Sequence, residues 1–310
     1  MYSYDRTHGS RRFLPFCQTQ RFTTDPREAD KNKIDNNNKK DANTSTDFIF
    51  THYDLKTVLE YRDLLVKGGY FESPLCRARH RIAVIVPYRG RDRNLAVFLY
   101  VMHPFLIEQG LEYRIFVIEQ SGNELFNRGR LLNVGFVEAQ KHGKWGCMVF
   151  HDVDLLPTTD KIKYTCPTWP RHMCGSVLGR PETDKYKSHF GGVTAMTPSH
   201  YEKVNGYSNW YWGWGGEDTD MFWRIKNSGL ALTRYSKSVA VYKALPHKQE
   251  PENPIRKKLL KNTQNGYKTD GLSNCRYTII SKTMYHTYTH ILVDINPDKE
   301  NVTEFQLQWQ

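Results

Sequence analysis

The 310-residue chain contains no run of 18 uncharged apolar residues, and its longest apolar stretches, such as residues 82–87, are strand-sized. That excludes a membrane-spanning helix within this sequence. The first ten residues, MYSYDRTHGS, lack an apolar core segment, so no secretory signal peptide is expected there. None of the six cysteines forms a C-x-x-C pair, which excludes zinc-ribbon and thioredoxin motifs. Helix-turn-helix, zinc-finger and RNP patterns are missing too, and no internal repeat is visible. Acidic residues are the scarcer charge: 33 Asp and Glu face 44 Lys and Arg, a net +11. A basic balance alone suits a nucleic-acid partner. Here, however, Lys and Arg recur in small groups at 89–93, 128–130, 161–163, 185–187 and 256–261 rather than in one long run. Without a recognition motif, such spread charge argues against that partner class.

What is present suffices for a globular core, with 39% hydrophobic and 13% aromatic residues. Residues 25–47 are the exception. This stretch is rich in Asn, Lys and Asp and has one sizeable apolar side chain, Ile34, so it reads as a disordered stalk. From Arg81 the pattern changes. Residues 81–89 (RIAVIVPYR), 113–120 (YRIFVIEQ) and 146–154 (GCMVFHDVD) are nearly continuous in apolar character, as strands buried on both faces of a parallel sheet are. Helical 3–4 spacing over residues 93–108 and 127–140 separates them. The alternation predicts an α/β sandwich with right-handed crossovers. Further strands are expected over 188–197 and 232–242, a helix over 217–227, and an amphipathic basic helix or solvated face near 255–261. The organisation expected is a leader at 1–50, a single domain at 51–300 and a tail at 301–310. Within that domain, a nucleotide-binding part covers about 80–157 and an acceptor and metal part about 158–300.

Three groups of residues could carry chemistry. Asp152-Val153-Asp154 falls where a buried strand ends, and ligands of open α/β sheets bind beyond the carboxyl ends of strands. One carboxylate there can hold a divalent cation while the other braces the turn; a plain turn-capping pair reads the same way. Trp212 to Asp220 (WGWGGEDTD) sets tryptophans among glycines and then places three carboxylates at a helix start. Flat apolar faces suit stacking on sugar rings, and the glycines allow the backbone to move. Core tryptophans beside a capping cluster are the alternative. Arg128 and Arg130 sit in the first turn of a helix, where cations oppose the dipole, so they suit an anion, as do Arg89, Arg91 and Arg93.

Taken in order and spacing, Pro87-Tyr88-Arg89-Gly90-Arg91, Phe126-Asn127-Arg128 with Leu131–Phe136, Asp152–Pro157, Phe190-Gly191-Gly192-Val193 and Trp212–Asp218 resemble the β-1,4-galactosyltransferase family. The likeness runs from about residue 68 to 295. It implies a GT-A fold, with a Rossmann-like mixed sheet flanked by helices. It also implies an enzyme that uses a UDP-sugar and Mn²⁺ and builds β-1,4 linkages with inversion on glycoprotein or glycolipid glycans. On that resemblance, Pro87, Tyr88, Arg89, Arg91, Arg128, Val153, Asp154 and Trp214 contact the donor. Asp154 and His247 ligate the metal. Tyr186, His189, Gly215, Gly216, Glu217 and Asp218 face the acceptor, with Asp218 the base and Glu217 its catalytic neighbour. Cys147 and Cys166 match a family disulfide. Cys76 matches half of another whose usual partner position holds no cysteine, with Cys17 a candidate in its place.

Several positions depart from the family pattern. Ala244 stands where a methionine usually supplies a third metal ligand, so weaker Mn²⁺ binding and better competition by Mg²⁺ are expected. His189 replaces a tyrosine that favours galactose, or a smaller aliphatic residue that admits N-acetylgalactosamine. Thr219 replaces an acid that hydrogen-bonds the acceptor; losing that bond costs roughly 1.5–3 kcal/mol. A carbohydrate-binding relative with weak catalysis is the competing expectation. Family members are Golgi proteins held by an anchor ahead of a stalk, so either an anchor precedes Met1 or the protein is a soluble form. Sequons stand at Asn43 and Asn301.

Overall fold

The structure, a computed structural model, describes residues 16–17, 60–180 and 187–295. Apart from Phe16 and Cys17, the expected leader lies outside the described residues, as do the tail, both sequons and Tyr186. The elements run β1 (Tyr70–Phe71), β2 (Arg81–Tyr88), α1 (Asp92–Glu108), β3 (Glu112–Gln120), α2 (Arg128–Gln140), β4 (Cys147–His151), β5 (Leu155–Pro157), β6 (Arg171–His172) and β7 (Ser176–Val177). They continue with β8 (Val193–Met196), α3 (Pro198–Lys203), α4 (Glu217–Asn227), β9 (Thr233–Arg234), β10 (Val241–Ala244), α5 (Arg256–Gly266), β11 (Thr278–Met284) and β12 (Thr289–Asp294).

One mixed sheet has the order β11-β12-β3-β2-β4-β8-β6-β9, with β1 paired to the start of β3. β12, β3, β2 and β4 are parallel, whereas β8 is antiparallel to both β4 and β6. The near-continuous apolar character of β2 and β3 follows from burial on both faces. Ile82, Val84 and Val86 pack with Phe98 and Met102 of α1, while Ala83 and Ile85 pack with Leu131 and Leu132 of α2. Period-2 alternation therefore feeds two cores rather than one core and solvent.

The expected strands shrink on the side that carries the site. β4 stops at His151, which leaves Asp152-Val153-Asp154 in a turn. The expected strand over 188–197 is a strand only from Val193, because Gly191 and Gly192 precede it. The expected strand over 232–242 is instead two short ones, β9 in the main sheet and β10 in a second sheet ordered β5-β10-β7. Cys147–Cys166 and Cys17–Cys76 are disulfides, and Cys174 and Cys275 are free. The first spans 19 residues, a loop size whose closure contributes about 3 kcal/mol. Among the described residues, no helix is long and apolar enough to cross a membrane.

Candidate active site

The carboxyl ends of β2 and β4 open into a cavity of about 790 Å³. Its walls come from the turn after β2, the Asp152–Asp154 turn, the Gly191-Gly192 turn, the Gly213–Thr219 segment and the stretch from His247 to Glu250. Pairing between β5 and β10 explains why residues 93 positions apart meet. Ala244 lies opposite Leu155, and the Leu245 amide donates to the Asp154 carbonyl at 2.7 Å. That register carries His247 back over the turn, where its Nε2 stands 2.8 Å from Asp154 Oδ2. Arg91 Nη1 approaches the other oxygen, Oδ1, at 3.9 Å. Ala244 itself is packed against the core and does not line the cavity.

Arg128 dominates the opposite wall. Asn127 caps α2 by accepting from the Arg130 amide at 2.9 Å, which sets Arg128 at the helix mouth. Its Nε donates to Asp152 Oδ1 at 2.6 Å and its Nη1 to Asp218 Oδ1 at 2.8 Å, with Glu217 Oε1 3.8 Å away. Burial opposes the charge of Arg128, but Asp152, Asp218 and Glu217 outweigh it and hold its pKa well above the usual value. Arg128 Nη2 is buried, and the Tyr207 side chain lies against the guanidinium. Burial raises the Asp152 carboxyl to about 6, against the pull of Arg128 and with Asp154 and Asp218 adding to the rise.

Helix α4 delivers the acids. Its N-cap Gly216 has φ +109°, and a Cβ there would meet the Tyr211 ring at 2.4 Å, so only glycine fits the entry. Burial, reinforced by Asp218, lifts the Glu217 carboxyl to about 8. The Asp218 carboxylate lies against Gly191, where a Cβ would fall 2.0 Å from its Oδ2. The third acid serves a different purpose. Asp220 is buried and pairs with Arg224 of its own helix and with Thr263 of α5, whose hydroxyl donates at 2.6 Å. It joins α4 to α5 and is absent from the cavity wall.

Most of the residues expected from sequence meet here: Pro87, Arg89, Arg91, Arg128, Val153, Asp154, His189, Trp214, Gly215, Gly216, Glu217, Asp218 and His247 all line the cavity, as does Thr219. His189 Nε2 stands 3.8 Å from Asp218 Oδ2. Trp214 is 49% exposed, and its backbone is tied to the 251–253 segment by hydrogen bonds of 2.7 and 2.9 Å. Trp212 instead packs against the core. Tyr88 is not brought to the wall: its ring is buried, and its hydroxyl accepts from the Arg91 amide at 3.1 Å and donates to Asp92. Sequence reasoning missed Glu250, whose Oε1 accepts from Arg89 Nη2 at 3.1 Å, and the link from Arg128 to Asp218. The second spans 90 positions, and no local pattern announces it.

Asp154 and His247 supply a carboxylate oxygen and an imidazole nitrogen side by side at the cavity wall. Hard oxygen beside imidazole suits Mn²⁺ or Mg²⁺ with its other positions open to a diphosphate and water, so the donor set fits a divalent cation. Among the described residues, no cluster of three or more His, Cys, Asp or Glu completes an all-protein site.

A mixed sheet with a parallel centre, an acidic turn at the strand ends and a second half that supplies acids and a histidine is the GT-A glycosyltransferase fold. Residues 36–167 match the model for the N-terminal region of glycosyl transferase group 7, and residues 181–248 match that for the N-terminal domain of galactosyltransferase. β-1,4-Galactosyltransferase 3 of Cricetulus griseus is 43% identical over 248 residues, covering 79% of this chain and 63% of that protein. β-1,4-Galactosyltransferase 4 of the same organism is 43% identical over 235 residues, covering 74% of this chain and 67% of that protein. The chain belongs to the β-1,4-galactosyltransferase family. It spans 63% of the length of the first of these relatives. Among solved structures, the catalytic domain of Drosophila β1,4-galactosyltransferase 7 in complex with xylobiose superposes with a TM-score of 0.63 at 29% identity, covering 72% of this chain and 98% of that one. A mutant of the same enzyme in complex with manganese, UDP-Gal and xylobiose gives 0.62 at 28% identity, with the same coverage.

Proposed function

We propose that the protein is an inverting transferase that moves galactose from UDP-galactose to the 4-hydroxyl of a terminal sugar, N-acetylglucosamine or a related residue, on glycoprotein or glycolipid glycans. The carrying observation is that Arg128 joins the acidic turn of the metal side to the acids of α4 across one cavity. A donor lying along that axis has its diphosphate beside Asp154, His247, Arg89 and Arg91, and its sugar towards Asp218 and Glu217. Asp218, held by Arg128, accepts the proton of the acceptor hydroxyl as that oxygen attacks the anomeric carbon in line. Glu217, protonated at neutral pH, donates a hydrogen bond to the acceptor instead of adding a second negative charge. Trp214 stacks on sugar and excludes water from the donor. A bound divalent cation, Mn²⁺ or the competing Mg²⁺, neutralises charge on the leaving diphosphate.

His189 favours a second donor reading, since its ring is smaller than tyrosine and leaves space that UDP-N-acetylgalactosamine can use. The disulfides fit an oxidising compartment, and with the family they support a Golgi lumen or Golgi membrane location. The catalytic unit is residues 51–300, with nucleotide binding centred on 80–157.

The test incubates the protein with each UDP-sugar and with N-acetylglucosaminide, glucose or xyloside acceptors, in Mn²⁺, Mg²⁺ or chelator. Asp218→Asn is the inactive control, and His189→Tyr reports the donor preference. Transfer that needs a divalent cation and is lost in the control supports the proposal. If neither transfer nor donor hydrolysis occurs in any combination, the protein is a carbohydrate-binding relative instead.

A further inference from the structure

Among the described residues, the cation site proposed above has two protein ligands, and they come from segments far apart in sequence, so something must fix their separation. The Leu245–Asp154 backbone bond is one tie. A second lies directly beneath it, in the core. His151 Nδ1 is 2.9 Å from the Asp152 carbonyl oxygen, His151 Nε2 is 2.8 Å from the Tyr164 hydroxyl, and that hydroxyl is 3.1 Å from the hydroxyl of Tyr242. All three side chains are fully buried. Tyr242 lies on β10, five residues before His247, and His151 closes β4 three residues before Asp154.

The polarity of this chain is determined. A carbonyl oxygen only accepts, so His151 Nδ1 carries the proton and Nε2 accepts from Tyr164. Tyr164, with its own proton committed, accepts from Tyr242. Burial pushes His151 down to about 4, which keeps the ring neutral at physiological pH and preserves this single arrangement. The backbone of Tyr164 is itself held, since its amide donates to Gln109 Oε1 at 2.9 Å and Gln109 Nε2 donates to the Ile162 carbonyl at 3.1 Å. Displacing Tyr164 breaks both links of the network, whereas displacing Tyr242 breaks only its tie to β10.

We propose that His151, Tyr164 and Tyr242 form a positioning strut that fixes the Asp152–Asp154 turn relative to β10, and so sets the separation of Asp154 and His247 on which cation affinity depends. The inference rests on the metal-dependent reading of the site.

The test titrates Mn²⁺ into the purified full chain, following free Mn²⁺ by electron paramagnetic resonance, for wild type, Tyr164→Phe, Tyr242→Phe and the double variant. Melting of the metal-free proteins runs in parallel. The expected result is roughly 10-fold weaker Mn²⁺ binding in each single variant. The double variant should be no weaker than the worse single one, because links in series fail once. Tyr242→Phe keeps the bond from Tyr164 to His151 and decides the matter if Tyr164→Phe does not fold. Lower melting temperatures with unchanged Mn²⁺ affinity would reduce the trio to core packing and overturn the strut, as would fully additive losses. Wild-type protein that binds no Mn²⁺ overturns the metal reading and the strut together. Mn²⁺ binding in wild type with unaltered variants overturns the strut alone.

Discussion

Arg128 Nη1 donates to Asp218 Oδ1 at 2.8 Å while its Nε holds Asp152 at 2.6 Å, so one side chain ties the turn at the metal side to the acid assigned as base. Three carboxylates surround this cation, and removing it leaves them facing one another in a buried site. Arg128→Met should therefore cost about 3 kcal/mol or more of stability, read as a lower urea midpoint at unchanged slope. Transfer should be lost as well. Arg128→Lys restores charge without the planar fork and should recover stability better than activity.

Glu217 gives the site a pH signature. Buried and next to Asp218, it keeps its proton in the folded protein up to about pH 8, whereas its ordinary value is 4.5. Between those values the folded state binds more protons than the unfolded state, so this group makes stability fall as pH rises, by at most about 1.4 kcal/mol per pH unit. Glu217→Gln removes that contribution. Melting curves of the metal-free protein from pH 5 to 8 should show a flatter dependence in the variant, with the gain over wild type largest near pH 8. A parallel decline in both proteins would show that Glu217 titrates normally.

Gly191 tests how closely Asp218 must be held. A methyl group there would fall 2.0 Å from Asp218 Oδ2 and within 2.4 Å of its whole carboxyl group. Gly191→Ala should displace the base by about an ångström and lower kcat roughly 100-fold. Mn²⁺ binding on the far side of the cavity should survive. An unchanged kcat would mean that Asp218 is free to move or is not the base.

How much of this was legible depends on whether a signal is local. β2, β3, α1, α2 and α4 each carry a pattern within one element, and they appear within a residue or two of expectation. The hairpin of β11 and β12 was not foreseen. Most of β11 is exposed on an edge, so TIISKTM shows no clean alternation, although β12 pairs in parallel with the central β3. In the site, resemblance placed the side chains on the cavity wall, but it could not show that Arg128 would be shared by Asp152 and Asp218. Nor could it show that Tyr88 would turn inward to brace Arg91 and Asp92. Those outcomes follow from tertiary register, which spacing along the chain does not encode. Asp220 illustrates the same limit. It is one of three acids at a helix start, and only the packing of α5 makes it structural.

Ala244 offers the sharpest test of the cation site. The β5–β10 register places it opposite Leu155, immediately beside the Asp154–Leu245 backbone bond, so a longer side chain there starts close to the Asp154–His247 pair. Alanine has no donor atom, so a bound cation would take water or diphosphate oxygen where a methionine would offer sulfur. Oxygen ligands favour Mg²⁺ more than a thioether does, so wild type should discriminate little between Mg²⁺ and Mn²⁺. Ala244→Met should tighten Mn²⁺ binding and leave Mg²⁺ binding unchanged or weaker. Paired titrations of the two ions against both proteins measure the ratio directly. An unchanged ratio and unchanged Mn²⁺ affinity would show that position 244 does not reach the cation, and that the two-ligand site is complete as it stands.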